Sequence, residues 1–176
     1  MAFDGSHSGF SLKDYPIIEV ADWTREAPCD FWDPGRKLLL SIRVYQRWQQ
    51  RTGVFARIFR KWIVLRHRFW SVVTGADIPL NCNIGGGLLI PHPNGIVIHP
   101  GARIGVNCLI FQQVTVGTRN SGGLPVIGDH VDIGAGAKIL GPVVIGDRAK
   151  IGANAVIIKN VESGAVAVGT FRGHGT

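Results

Sequence analysis

The sequence is poor in cysteine, and between residues 36 and 76 it has no acidic residue at all. Cys29, Cys82 and Cys108 are odd in number and widely separated, with no Cys-x-x-Cys pair and no histidine at ligand spacing. A disulfide scaffold and a zinc site are therefore excluded, and no metal is expected. No basic stretch followed by an apolar one opens the chain, so no secretory signal is expected and a bacterial-type cytoplasm is the expected compartment. Arg or Lys breaks the longest strongly apolar stretches within a few residues, so no segment reaches the roughly 20 apolar residues that a bilayer span requires. No nucleic-acid-binding motif accompanies the basic charge, which excludes that class of partner.

Glycine and proline, by contrast, are abundant. Twenty-four glycines and nine prolines in 176 residues, without a collagen period, demand turns at short intervals. The net charge of +7 is unevenly spread. Residues 1–35 set seven acids against Lys13 and Arg25, whereas residues 36–76 carry ten bases and residues 77–176 seven bases and five acids. The basicity thus belongs to the middle segment and concerns partners more than fold. Residues 1–76 read as an N-terminal segment, irregular over 1–35 and helical over 36–74, and residues 77–176 as a second domain.

In the helical stretch, Gly53 suits a C-cap, and the following run spaces Phe55, Ile58, Phe59, Trp62, Leu65, Phe69 and Val73 by threes and fours on one face. Trp48, Trp62, Phe69 and Trp70 read as core or interface residues. A basic helix with an aromatic face also fits peripheral contact with an anionic membrane, and the competing reading folds the acidic residues 1–35 over it.

From Ile78 the period becomes six. Aliphatic residues stand at 78, 84, 90 and 96, then at 98, 104, 110 and 116, then at 127, 133, 139, 145, 151 and 157. That beat is the signature of a parallel β-helix whose aliphatic position points inward, with a small Ala four places on in the repeats at Ile133, Ile145 and Ile151. Residues 117–126 break the beat with turn formers and are expected to project as a loop of the kind that carries binding groups.

Over residues 75 to about 170, the stretches GADIP, IGGGLLIPHPNGIVI, IGVNCLIFQQVTVGT and GGLPVIGDHVDIGAGAKILGPVVIGDRAKIGANAVIIKNV resemble the serine acetyltransferase group of hexapeptide-repeat acyltransferases. The resemblance implies a mainly β fold, a left-handed parallel β-helix behind an N-terminal α-helical segment, assembled as a homotrimer. It implies acetyl-CoA in a groove between coils and acetyl transfer to an acceptor hydroxyl. His92 in HPNGIVI matches the catalytic base, and Asp77 in DIP matches the carboxylate that pairs with it. The chemistry fits: an alcohol attacks a thioester poorly unless a base takes its proton, and a carboxylate behind the imidazole fixes the tautomer. Lys150 matches a basic position near the coenzyme. Gly117, Gly134, Ala135, Gly136, Ala137, Ala153 and Asn154 are expected along the pantetheine groove, and Arg172 at the coenzyme phosphates. Arg119 and Asn120 in the loop are expected to meet the acceptor. His99 and His130 read as solvent-facing turn residues.

The sequence departs from the serine-specific pattern at three places. Pro91 replaces an aspartate before the base, and Gly123 and Leu124 replace an Arg-His pair. Each missing charge is worth a few kcal/mol to a free amino acid, so a sugar hydroxyl of a polysaccharide precursor is the expected acceptor. Two rival readings stand beside it: a true serine acetyltransferase with Arg119 or the N-terminal segment as substitute clamp, and a silent β-helix scaffold.

Overall fold

The computed structural model describes residues 20–119 and 122–171. Two helices precede the coils: α1 (Pro34–Gln49) and α2 (Val54–Thr74). Asp33 caps α1 by accepting the Arg36 N–H, and Pro34 opens its first turn, where its missing N–H costs nothing. Gly53 is not the C-cap of α1, which ends at Gln50. With φ of +107° it is the N-cap of α2, a conformation that favours glycine, and so reverses the chain between the helices. Gly75 ends α2 in the left-handed conformation, donating to the Ser71 carbonyl at 2.8 Å.

The face that α2 turns inward differs from the one its spacing predicts. Ala56, Ile63, His67, Trp70 and Thr74 are buried, while Phe55 is 89% and Leu65 67% exposed. The apolar residues of α2 extend well beyond the strip that is buried, and periodicity alone does not say which part of them another helix covers.

Thirteen short strands follow among the described residues: β1 (Asn83–Ile84), β2 (Val97–Ile98), β3 (Arg103–Ile104), β4 (Leu109–Ile110), β5 (Thr115–Gly117), β6 (Val126–Ile127), β7 (Asp132–Ile133), β8 (Lys138–Leu140), β9 (Val144–Ile145), β10 (Lys150–Ile151), β11 (Val156–Ile157), β12 (Val166–Ala167) and β13 (Thr170–Phe171). They stack into three parallel sheets, ordered β1-β3-β6-β9, β4-β7-β10-β12 and β2-β5-β8-β11-β13. The register sets Ile84, Ile104, Ile127 and Ile145 one above another, and Ile98, Val116, Ile139 and Ile157 likewise. Every aliphatic position of the six-residue beat points inward, none more than 6% exposed. Ala137, Ala149 and Ala155 are buried four places after Ile133, Ile145 and Ile151, a position that other coils fill with Leu88, Val114, Val131 and Val143.

Leu38, Leu39, Ile42 and Trp70 join this core, so the helix pair closes the open end of the coil. The described part of the acidic segment, residues 20–33, is an ordered strap rather than loose chain. Its 3₁₀ turn (Trp23–Glu26) buries Glu26, which pairs with Arg43 through 2.7 and 2.9 Å contacts and accepts the Leu88 N–H. Arg43 also donates to the Ile84 and Gly85 carbonyls, tying helix, strap and coil together.

Candidate active site

One corner of the coil recurs four times. The chain turns through Pro91–Gly95 into β2, through residues 111–114 between β4 and β5, through 134–137 between β7 and β8, and through 152–155 between β10 and β11. Hydrogen bonds stack these turns: Gln113 N–H to Asn94 O at 2.9 Å, Gly136 N–H to Gln112 O at 2.8 Å, and Asn154 N–H to Ala135 O at 2.8 Å. His92 therefore heads a column continued by Gln112, Gly134 to Gly136, and Ala153 with Asn154. Pro91 and Pro93 lock φ on either side of it, holding the imidazole outside the coil on a stiff turn.

The exposed His92 ring lines a cavity of about 730 Å³ whose opposite wall comes from the helical cap, with Trp32, Asp33, Arg36 and Val73. Asp77 is exposed in the first coil, bridged to Val97 in the strand that leaves the His92 turn. Asp77 and His92 share no hydrogen bond or ion pair in the protomer; the Asp77 charge bears instead on His67 and Cys82.

His67, which sequence reasoning did not single out, is buried with Nδ1 2.9 Å from Ser41 Oγ, and burial pushes its pKa down. The same cause raises the Cys82 thiol to about 12 and the Cys108 thiol to about 11, which leaves both as inert core residues. No cluster of metal ligands occurs among the described residues.

The small residues of the column have different reasons to be small. A side chain at Gly134 would meet the Ala153 backbone nitrogen at 2.6 Å, and one at Gly136, φ +74°, would strike the Asn154 amide. The coil itself demands these two glycines. Ala137 has no group left for a ligand: its methyl is fully buried, its N–H goes to Gly134 O and its carbonyl accepts from Thr115. Ala135, Ala153 and Asn154 remain at the surface of the column. Lys150, exposed, opens β10 beside Asp132 on the strand leading into it. Gly117 lies at a different corner, at the end of β5, facing open space.

Arg119 is exposed at the start of the projecting loop, next to Gly141; Asn120 and Arg172 lie outside the described residues. His99 and His130 occupy turns but are half-buried: His99 Nδ1 accepts the Gly101 N–H, and His130 Nε2 lies 3.3 Å from Asn107 Nδ2. Sequence reasoning also missed Gln112, whose side-chain Oε1 is buried in the column without a hydrogen-bond partner. The available signal was a pair of glutamines at a corner that the next two coils fill with glycine and alanine apart from Asn154.

The bacterial transferase hexapeptide (six repeats) family model matches residues 125–159. A serine acetyltransferase of Mycobacterium tuberculosis is 40% identical over 125 residues, covering 69% of this chain and 52% of the relative. A Neisseria gonorrhoeae serine acetyltransferase solved in complex with serine superposes with a TM-score of 0.67 at 31% identity, covering 85% of this chain and 62% of that one. A serine acetyltransferase solved in complex with CoA gives 0.65 at 31%, covering 80% of this chain and 56% of that one. This chain belongs to the serine acetyltransferase-like hexapeptide-repeat family.

Its coil is the left-handed parallel β-helix of these relatives, and the chain spans about half the length of the curated relatives it matches. Set against serine-specific acetyltransferases, Pro91 stands uncharged on the cavity wall and Leu124 packs towards Gly101. The charged groups that the cavity does have, Asp33 and Arg36, come from the helical cap and pair with each other at 3.2 Å.

Proposed function

We propose that this chain is an acetyl-CoA-dependent O-acetyltransferase that acts as a homotrimer, with His92 as general base and L-serine as acceptor. The observation that carries the reading is the position of His92, at the head of the column and facing a cavity. Acetyl-CoA supplies an acetyl thioester as co-substrate. An elongated, amide-bearing arm fits a surface of small turn residues that includes a buried acceptor without a partner, Gln112 Oε1. Ala135, Ala153, Asn154 and Lys150 are the other residues placed to hold it.

His92 accepts the hydroxyl proton as the acceptor oxygen attacks the acyl carbon, then returns that proton to the departing sulfur. Asp77 is the candidate carboxylate to orient the ring, and residues 117–126 of one copy would enclose the site of the next. Serine is the acceptor named for the relatives. Asp33 and Arg36, on opening their mutual 3.2 Å pair, would offer one charge of each sign to the two ends of an amino acid, in the place of the charges missing at positions 91, 123 and 124.

A second reading rests on those missing charges: a sugar hydroxyl needs no ammonium or carboxylate clamp. Thiol release from acetyl-CoA, measured with L-serine and with nucleotide-sugar acceptors, separates the two. Turnover with L-serine at least ten-fold above the sugars supports the first reading, and the reverse order replaces it with the second.

A further inference from the structure

We infer that the exposed face of α2 docks on an anionic lipid surface, holding the protein peripherally against a membrane. At about 100° per residue, Ile58, Trp62, Leu65, Phe69 and Val72 of α2 fall on one arc roughly 80° wide, on the side of the helix away from the buried strip of Ala56, Ile63, His67, Trp70 and Thr74. All five are exposed, Trp62 by 52%. A single exposed leucine needs no explanation, but a contiguous row of this length does. Beside the row runs an apolar groove of about 520 Å³ between the helices, formed by Leu40, Trp62, Leu65 and Phe69 with Lys37 and Arg66 at its lip.

The charge around this face selects the occupant. Arg57, Lys61 and Arg68 lie within about 40° of one another along one flank of the arc. On the other side, the Arg66 guanidinium sits 5.7 Å from the Trp62 ring and the Lys37 ammonium 5.4 Å from that of Trp70. No carboxylate occurs between residues 36 and 76 to neutralise them. A second copy meeting the same face would set this cationic frame against itself. Residues 1–19 bring three acids against Lys13, and of the four acids in residues 20–35 Glu26 and Asp33 are already paired with Arg43 and Arg36 and Asp22 caps its own turn at Thr24, which leaves Asp30 and too little charge to balance ten bases. Anionic headgroups with acyl chains beneath them satisfy both the frame and the row. No helix is long and apolar enough to cross a membrane, so the helix would lie in the interface.

The docking face is continuous with the cavity of His92. Val73 of α2 and Trp32 line that cavity, and the Trp32 ring packs 5.9 Å from Trp70, which borders the groove. Lipid binding would therefore bring the cavity mouth close to the headgroup layer.

The test is co-sedimentation of the full chain with vesicles of phosphatidylcholine alone and of phosphatidylcholine with about 30% phosphatidylglycerol, compositions chosen for the charge contrast. Binding to the anionic vesicles at least ten-fold above the neutral ones is expected, with a loss of ten-fold or more in Ile58→Ser/Leu65→Ser and in Arg57→Gln/Lys61→Gln/Arg68→Gln. Each variant is to keep the melting temperature and solution mass of the parent. Equal binding to both vesicles, no binding, or variants that bind like the parent overturn the inference. So does an apolar variant that breaks the native assembly into smaller species, which would seat a second copy on the face. Vesicle binding is read without turnover, so its failure leaves the acetyltransferase reading standing, and the converse holds too.

Discussion

His92 sits on a turn that two prolines hold stiff, and the general-base role proposed for it needs such rigidity, because misplacement by an ångström can cost a hundred-fold in rate. Its motif singles it out in the sequence as the candidate base. Gln112 was not legible, since nothing in a polar pair announces that one amide oxygen ends up buried without a donor. If that oxygen accepts an amide N–H of acetyl-CoA, Gln112→Ala should raise the KM for acetyl-CoA about three- to ten-fold with kcat little changed, the size of one ordinary hydrogen bond. Steady-state kinetics at saturating acceptor measures it, and an unchanged KM removes Gln112 from the coenzyme site. Arg36 is tested in the same way on the acceptor side: Arg36→Gln should raise the KM for L-serine ten-fold or more and leave that for acetyl-CoA alone. The thiols divide by burial. Exposed Cys29 should take up iodoacetamide in the folded protein, while Cys82 and Cys108 should react only after unfolding, as peptide mass mapping would show.

At the scale of elements, the helices were legible in extent and misleading in orientation. Periodicity locates the apolar arc of α2 but cannot say which part of it another helix covers, and Gly53 serves the entry to α2 because the chain must reverse there. The strap was illegible for a different reason. Glu26 and Arg43 lie in segments without a shared period, and only the fold brings them together. Removing one partner strands a buried charge, so Glu26→Ala should cost about 3–5 kcal/mol in denaturant unfolding, against well under 1 kcal/mol for the exposed Asp30→Ala. His67 adds a pH dependence. Burial lowers its pKa in the folded state, so the unfolded chain takes up the proton first as pH falls. Its contribution is complete above about pH 6.5 and shrinks below that value until the folded pKa is passed. Melting temperatures at pH 7.5 and 5.5 should show the drop, and His67→Gln, which can still bond Ser41, should flatten it.

For the whole molecule, the coil was the most legible feature, because one inward position every six residues leaves a pattern that no helix or flat sheet produces. What a periodic sequence hides is everything that depends on neighbours: the column of turns on which His92 sits, and the surfaces left for other molecules. The first residues of the strands put Val97, Val126 and Val144 on the outside of the coil, each at least two-fifths exposed, which is apolar surface available to further copies. A homotrimer of 19.0 kDa chains should elute with a mass of about 57 kDa by light scattering, and a mass of one chain would contradict it. Proton transfer by His92 is read out by kcat for thiol release from saturating acetyl-CoA with the preferred acceptor, compared between the parent and His92→Ala of equal melting temperature. A fall of about 10²- to 10⁴-fold with the KM for acetyl-CoA unchanged is the predicted result. A kcat within two-fold of the parent would contradict it.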